Sequence, residues 1–215
     1  MSHTSFRYGD VASLQNDICV MAHPQKGANF EGSKPFLSWF FATANQCGAV
    51  NMGSIVTGNM IEHGPEAIIA NIKDGRGSFV VFDDREKAAK FVELVAKMDG
   101  PVSIVVTALW DLVVPICEQA GVKPHSVNRA VGIYGKTEYL APEEIRQYTT
   151  MCGHGLVSRY LVEKTLQDVE KGILSPRAAA LKMARPCMCG FFNISRAEAL
   201  AQAHCEHLCQ QNPAD

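Results

Sequence analysis

Between residues 48 and 121 short apolar runs alternate with longer helix-period segments, each junction marked by glycine or proline. No other feature restricts the fold as strongly. The runs GAVNMGSIV (48–56), GSFVVFDD (77–84) and PVSIVVTAL (101–109) have strand length and are rich in β-branched and aromatic residues. Between them, GPEAIIANIKDG (64–75) opens with Pro65 in the first helical turn and closes on Gly75. In DREKAAKFVELVAKMDG (84–100), Ala88, Phe91, Val92, Val95 and Met98 recur at helical spacing behind Asp84 as N-cap. DLVVPICEQAG (111–121) reads as a short helix and HSVNRAVGIYG (125–135) as a last strand. Strands joined by helices of this length predict an α/β fold: a partly parallel sheet with crossover helices.

From Pro142 the periodicity becomes helical throughout. The segment 156–172 offers Leu156, Tyr160, Leu161, Val162 and Leu166 as apolar positions and ends at Gly172. Ser175 and Pro176 open the next helix, and Ser195 with Glu198 has capping-box spacing for the last. The expected division is a sheet domain over 1–140 and a C-terminal helical lobe over 141–215 that carries a cysteine cluster. The first 44 residues are less legible, with a loop over 23–36 and an aromatic-rich helix over 36–48. No internal repeat stands out.

Charged residues make up 20% and the net charge is −2, which excludes an affinity built on phosphate neutralisation, so nucleic acid is not expected as a partner. The first residues have neither a basic nor an apolar signal region. The longest apolar run, 102–117, is too short to span a bilayer and contains Asp111 and Pro115. The expectation is a cytoplasmic protein with no membrane partner, acting on a small-molecule substrate, as a homo-oligomer or as a subunit of a larger complex.

In a reducing compartment eight cysteines point away from structural disulfides and toward metal or redox roles. Cys152, Cys187 and Cys189 lie among Gly153, Gly155 and Gly190, in TTMCGHGLVS and ARPCMCGFFN. Two helices between them allow the chain to run out and return, so the three sulfurs are expected to converge. Glycines permit the close backbone approach that a cluster requires. The C-x-C spacing with one distant cysteine is a poor match to paired zinc knuckles. Soft thiolates suit iron–sulfur clusters, and three of them leave one iron of a [4Fe–4S] cluster open as a Lewis acid. His154 is then either a fourth ligand or the acid/base that manages a proton of the substrate.

The expected function is therefore an iron–sulfur enzyme of lyase, hydratase or desulfidase type. The alternatives are an electron-transfer or cluster-carrying subunit, a zinc-stapled binding protein, a thiol-redox site, and buried cysteines without metal. Candidate substrate-binding residues are Asn59, Glu62 and His63 in the glycine-rich segment 51–64, and Arg185, Asn193 and Arg196 around the cysteine turn. The tail HCEHLC (204–209) and the phosphate-loop-like AVGIYGKT (130–137) match metal and nucleotide motifs only loosely.

Overall fold

The computed structural model describes residues 6–98 and 100–211, with side chains up to residue 207, so Cys209 of the tail lies outside the described side chains. The strands are β1 (Ile18–His23), β2 (Asn51–Ser54), β3 (Gly58–Asn59), β4 (Ser78–Phe82) and β5 (Ser103–Thr107). Helices α1 (Val11–Leu14), α2 (Lys34–Gln46), α3 (Met60–His63), α4 (Pro65–Asn71), α5 (Arg85–Met98) and α6 (Trp110–Gln119) are interspersed with them. Four more follow: α7 (Glu143–Thr149), α8 (Arg159–Glu170), α9 (Pro176–Ala184) and α10 (Ile194–Gln211).

The sheet corrects the expectation of partly parallel strands. Its order is β3-β2-β4-β1-β5 and every neighbouring pair is antiparallel. The helices between strands do act as crossovers, because β1 and β2 run in the same direction, as do β4 and β5. Each crossover, however, leaves a gap one strand wide. β4 fills the gap between β1 and β2, and β1 fills the gap between β4 and β5, so two split β-α-β units interleave. The central strand β1 comes from the part of the sequence that was hardest to read. The last strand expected over 125–135 is absent; residues 122–136 form an irregular exposed segment leading to a single turn of 3-10 helix at Thr137–Tyr139.

Alternation along the strands assigns side chains to two separate cores. Ile18, Val20, Ala22, Met52, Val80 and Phe82 face α2, α4, α5 and α6, where Phe40 and Phe91 meet edge to face at 5.0 Å. Cys19, Met21, Phe79 and Val81 face α7 to α10, and the register pairs Cys19 with Val81 and Met21 with Phe79. The helical lobe thus covers the sheet face that the crossover helices leave bare.

Candidate functional site

The lobe is built from a repeated unit that the sequence reading missed. Cys152-Gly-His-Gly-Leu-Val-Ser158 and Cys187-Met-Cys-Gly-Phe-Phe-Asn193 occupy equivalent places 35 residues apart. Each cysteine follows a helix, and its N–H donates to the carbonyl of the last helical residue, Thr149 of α7 at 3.2 Å or Ala184 of α9 at 3.0 Å. Three residues on, a glycine closes the turn, with Gly155 N–H donating to Cys152 O at 3.1 Å and Gly190 N–H to Cys187 O at 3.0 Å. Both glycines have φ of +69°, a conformation that side-chain-bearing residues rarely adopt, whereas Gly153 has no such requirement. The unit ends on the cap of the next helix. Ser158 accepts from Leu161 N–H at 3.2 Å to open α8, and Asn193 accepts from Arg196 N–H at 3.0 Å to open α10, a role the sequence assigned to Ser195.

The two turns meet at Cys187. The Cys187 Sγ lies 3.8 Å from that of Cys189, and Cys152 is buried in the same core and interacts electrostatically with Cys187. Backbone N–H groups of Leu156 and His154 act to lower the Cys152 pKa, and that of Phe191 the Cys187 pKa. Such donors favour the thiolate. Other forces oppose ionisation: donation to Cys187, then burial, push the Cys152 thiol well up. For Cys187, the bond from Cys152 works downward, but the contact with Cys189 and burial carry it up to about 12.

Cys152, Cys187 and Cys189, which were expected to converge, lie in one buried core, with the sulfur contact at 3.8 Å between Cys187 and Cys189. Among the described residues, however, no group of three or more His, Cys, Asp or Glu is arranged as a ready-made cage for a metal ion. All seven described cysteines are free thiols.

The candidate substrate ligands hold this structure together. Asn59 Nδ2 donates to the carbonyls of Arg185 and Cys187, each at 3.1 Å, while its Oδ1 caps α3. Asn51 does similar work, donating to Phe192 O at 2.9 Å. The contact between turn and sheet leaves no space: a Cβ on Gly190 would overlap the backbone of Met52 and Gly53. Glu62 and Arg185 form a largely exposed ion pair at 3.2 Å, and the His63 ring lies against Gly58 on the surface. His154 is half-buried, its ring edge-on to Phe79 at 6.3 Å, and burial lowers its pKa.

Arg196 and Asn193 belong to a buried polar array whose other members, Arg7, Asp17 and Cys19, carried no sequence signal. Arg196 Nη1 donates to Asp17 at 2.9 Å and Asn193 Nδ2 to the same carboxylate at 3.1 Å. Arg7 lies 3.5 Å from Asp17, donates to Cys19 Sγ at 2.7 Å and to Phe191 O at 2.6 Å, and stacks on the Phe191 ring. The array links the N-terminal segment, the central strand and the second cysteine turn.

No protein-family model, curated protein or solved structure matches this chain. No helix among the described residues is long and apolar enough to cross a membrane.

Proposed function

We propose that this chain is a metal-thiolate protein in which Cys152, Cys187 and Cys189 hold a soft metal at the junction of the two repeated turns. The observation that supports the reading is the burial of the three thiols in one core, with the Cys187 and Cys189 sulfurs 3.8 Å apart and backbone N–H groups of the two turns favouring the thiolates of Cys152 and Cys187. Sequestered donors of this kind are what a thiolate-bound metal needs once it has displaced the protons.

The sulfur spacing favours a single ion. Two thiolates about 2.3 Å from one tetrahedral ion stand about 3.8 Å apart, whereas thiolates on different irons of a cluster must stand further apart. The observed separation of Cys187 and Cys189 is 3.8 Å. His154 occupies in the first turn the place that Cys189 occupies in the second, which makes it the fourth donor of a closed Cys3His set. Loading requires its ring to leave Phe79 and the outer two sulfurs to gather about a common point.

A closed centre also suits the surroundings. The three cysteines are 2%, 0% and 1% exposed, so their sulfurs are shielded from solvent. When bound, the ion supplies a cross-link between the two halves of the lobe, as structural zinc does. Asn59 and Asn51 hold the second turn on the sheet, and Phe79 and Phe191 exclude water.

The second reading keeps the iron–sulfur enzyme expected from sequence, with a [4Fe–4S] cluster on the three thiolates and an open iron for a small substrate. It is favoured by the packing of His154 against Phe79, which leaves the three cysteines of one buried core as the donors. Anaerobic purification followed by zinc, iron and sulfide quantitation decides between them. One zinc per chain, lost together in Cys152→Ser, Cys187→Ser and Cys189→Ser, supports the first reading. Iron with stoichiometric sulfide supports the second, and a protein indifferent to all three substitutions overturns both.

A further inference from the structure

The array beside the cysteine turns does not balance its own charge. Arg7 and Arg196 contribute two guanidinium groups, and among the described residues Asp17 is the one carboxylate that touches either. The side chains are 7%, 2% and 0% exposed, so water does little to offset the surplus. An uncompensated buried cation is costly, and retaining one implies a compensating anion within the same layer. Cys19 does not provide it. Although its sulfur accepts from Arg7, burial outweighs that guanidinium and pushes the thiol up to about 12, so it stays protonated. Arg7 instead reaches the two cysteine turns, donating to Phe191 O at 2.6 Å and to Thr150 O at 3.5 Å, carbonyls two residues from Cys189 and Cys152.

We propose that Arg7 is the counter-charge of the cysteine centre, and that the Arg7–Asp17–Arg196 array selects a metal complex with one net negative charge. The inference rests on the three-thiolate reading. A doubly charged ion or cluster bound by three thiolates carries one negative charge, with or without a neutral histidine, and this matches the surplus guanidinium. Arg7 is anchored beside the second turn through Phe191 O and the Phe191 ring at 5.1 Å. It is a positioning residue that touches no metal.

Zn²⁺ is the probe, titrated into metal-free full-length protein against a competing chelator, with thermal unfolding recorded for each variant. Arg7→Met leaves the neutral Arg196–Asp17 pair and is expected to weaken Zn²⁺ binding 10- to 100-fold, the range seen when groups surrounding metal ligands are removed. Arg7→Lys, which keeps the charge, is expected to stay within a few-fold of the parent, and Arg185→Ala, an exposed cation on the same turn, to be neutral. Asp17→Asn enlarges the surplus and is expected to tighten binding, which tests the idea with opposite sign should Arg7→Met fail to fold. Parent-like affinity in folded Arg7→Met, or equal losses in Arg7→Met and Arg7→Lys, overturns the charge argument while the cysteine centre survives. If the parent binds no Zn²⁺ more tightly than Cys187→Ser does, the centre and the inference fall together.

Discussion

The two faces of one sheet have been put to different uses. Toward α2 and α5, the strands present Ile18, Val20, Val80 and Phe82 to a layer of phenylalanines and aliphatics. Toward the lobe, the intervening residues of the same strands meet cysteines, methionines and a buried ion array. The first face gains by removing apolar area from water and has no polar atoms to satisfy. The second accepts desolvated charges and thiols, which apolar residues of similar volume would replace with equal or greater stability. That contrast is why the proposed centre is placed on the lobe side.

The sharpest way to break the contrast is to damage each face in turn. Asp17→Ala strands two guanidinium groups and is expected to cost about 3–5 kcal/mol. Phe40→Ala on the other face is expected to cost a similar ~3–5 kcal/mol through the cavity it leaves. Denaturant unfolding measures both. If the proposed centre holds a metal, Phe40→Ala protein that remains folded is expected to keep it, and a loss there would show that the faces are not independent.

Gly190→Ala comes next. Its left-handed φ and its overlap with Met52 and Gly53 force the second turn off the sheet, at a cost of at least ~1–3 kcal/mol. Lower metal occupancy is expected together with the lower stability, whereas Gly155→Ala, with open space around its Cβ, has only the backbone strain. Asn59→Ala removes the bonds to Arg185 O and Cys187 O and the cap of α3, for about 1–3 kcal/mol in the same assay. The smallest effect is expected of Arg185→Ala or Glu62→Ala. This pair is 68% and 42% exposed, and exposed pairs contribute about 0–1 kcal/mol. A larger loss of function than of stability there would restore both residues as ligand contacts.

How far the sequence anticipated this arrangement depended on how local the signal was. The helices over 84–100 and 175–184 were legible because periodicity and caps lie within the segments, and Ser175 does cap α9. The two helices between the cysteine turns, α8 and α9, were legible for the same reason. Strand β1 was not: buried on both faces, ICVMAH lacks the alternation that marks a half-exposed strand. Its insertion between β4 and β5 is what made the sheet antiparallel, and no local pattern records such a pairing. The helical repeat was present in the sequence but shares only Cys and Gly at equivalent turn positions, so it emerges from the caps and turn bonds rather than from residue identity. Arg7 and Asp17 reach their partners across almost the whole chain, and nothing near them in sequence marks them as more than loop residues.

The most direct measurement is X-ray absorption at the edge of the metal that the purified protein carries, which counts the atoms bound to it. Three sulfurs and one nitrogen around a single ion, falling to two sulfurs in Cys187→Ser, is the predicted result. A shell of oxygen and nitrogen alone, or a sulfur count that Cys187→Ser leaves unchanged, would contradict a centre built on the two turns.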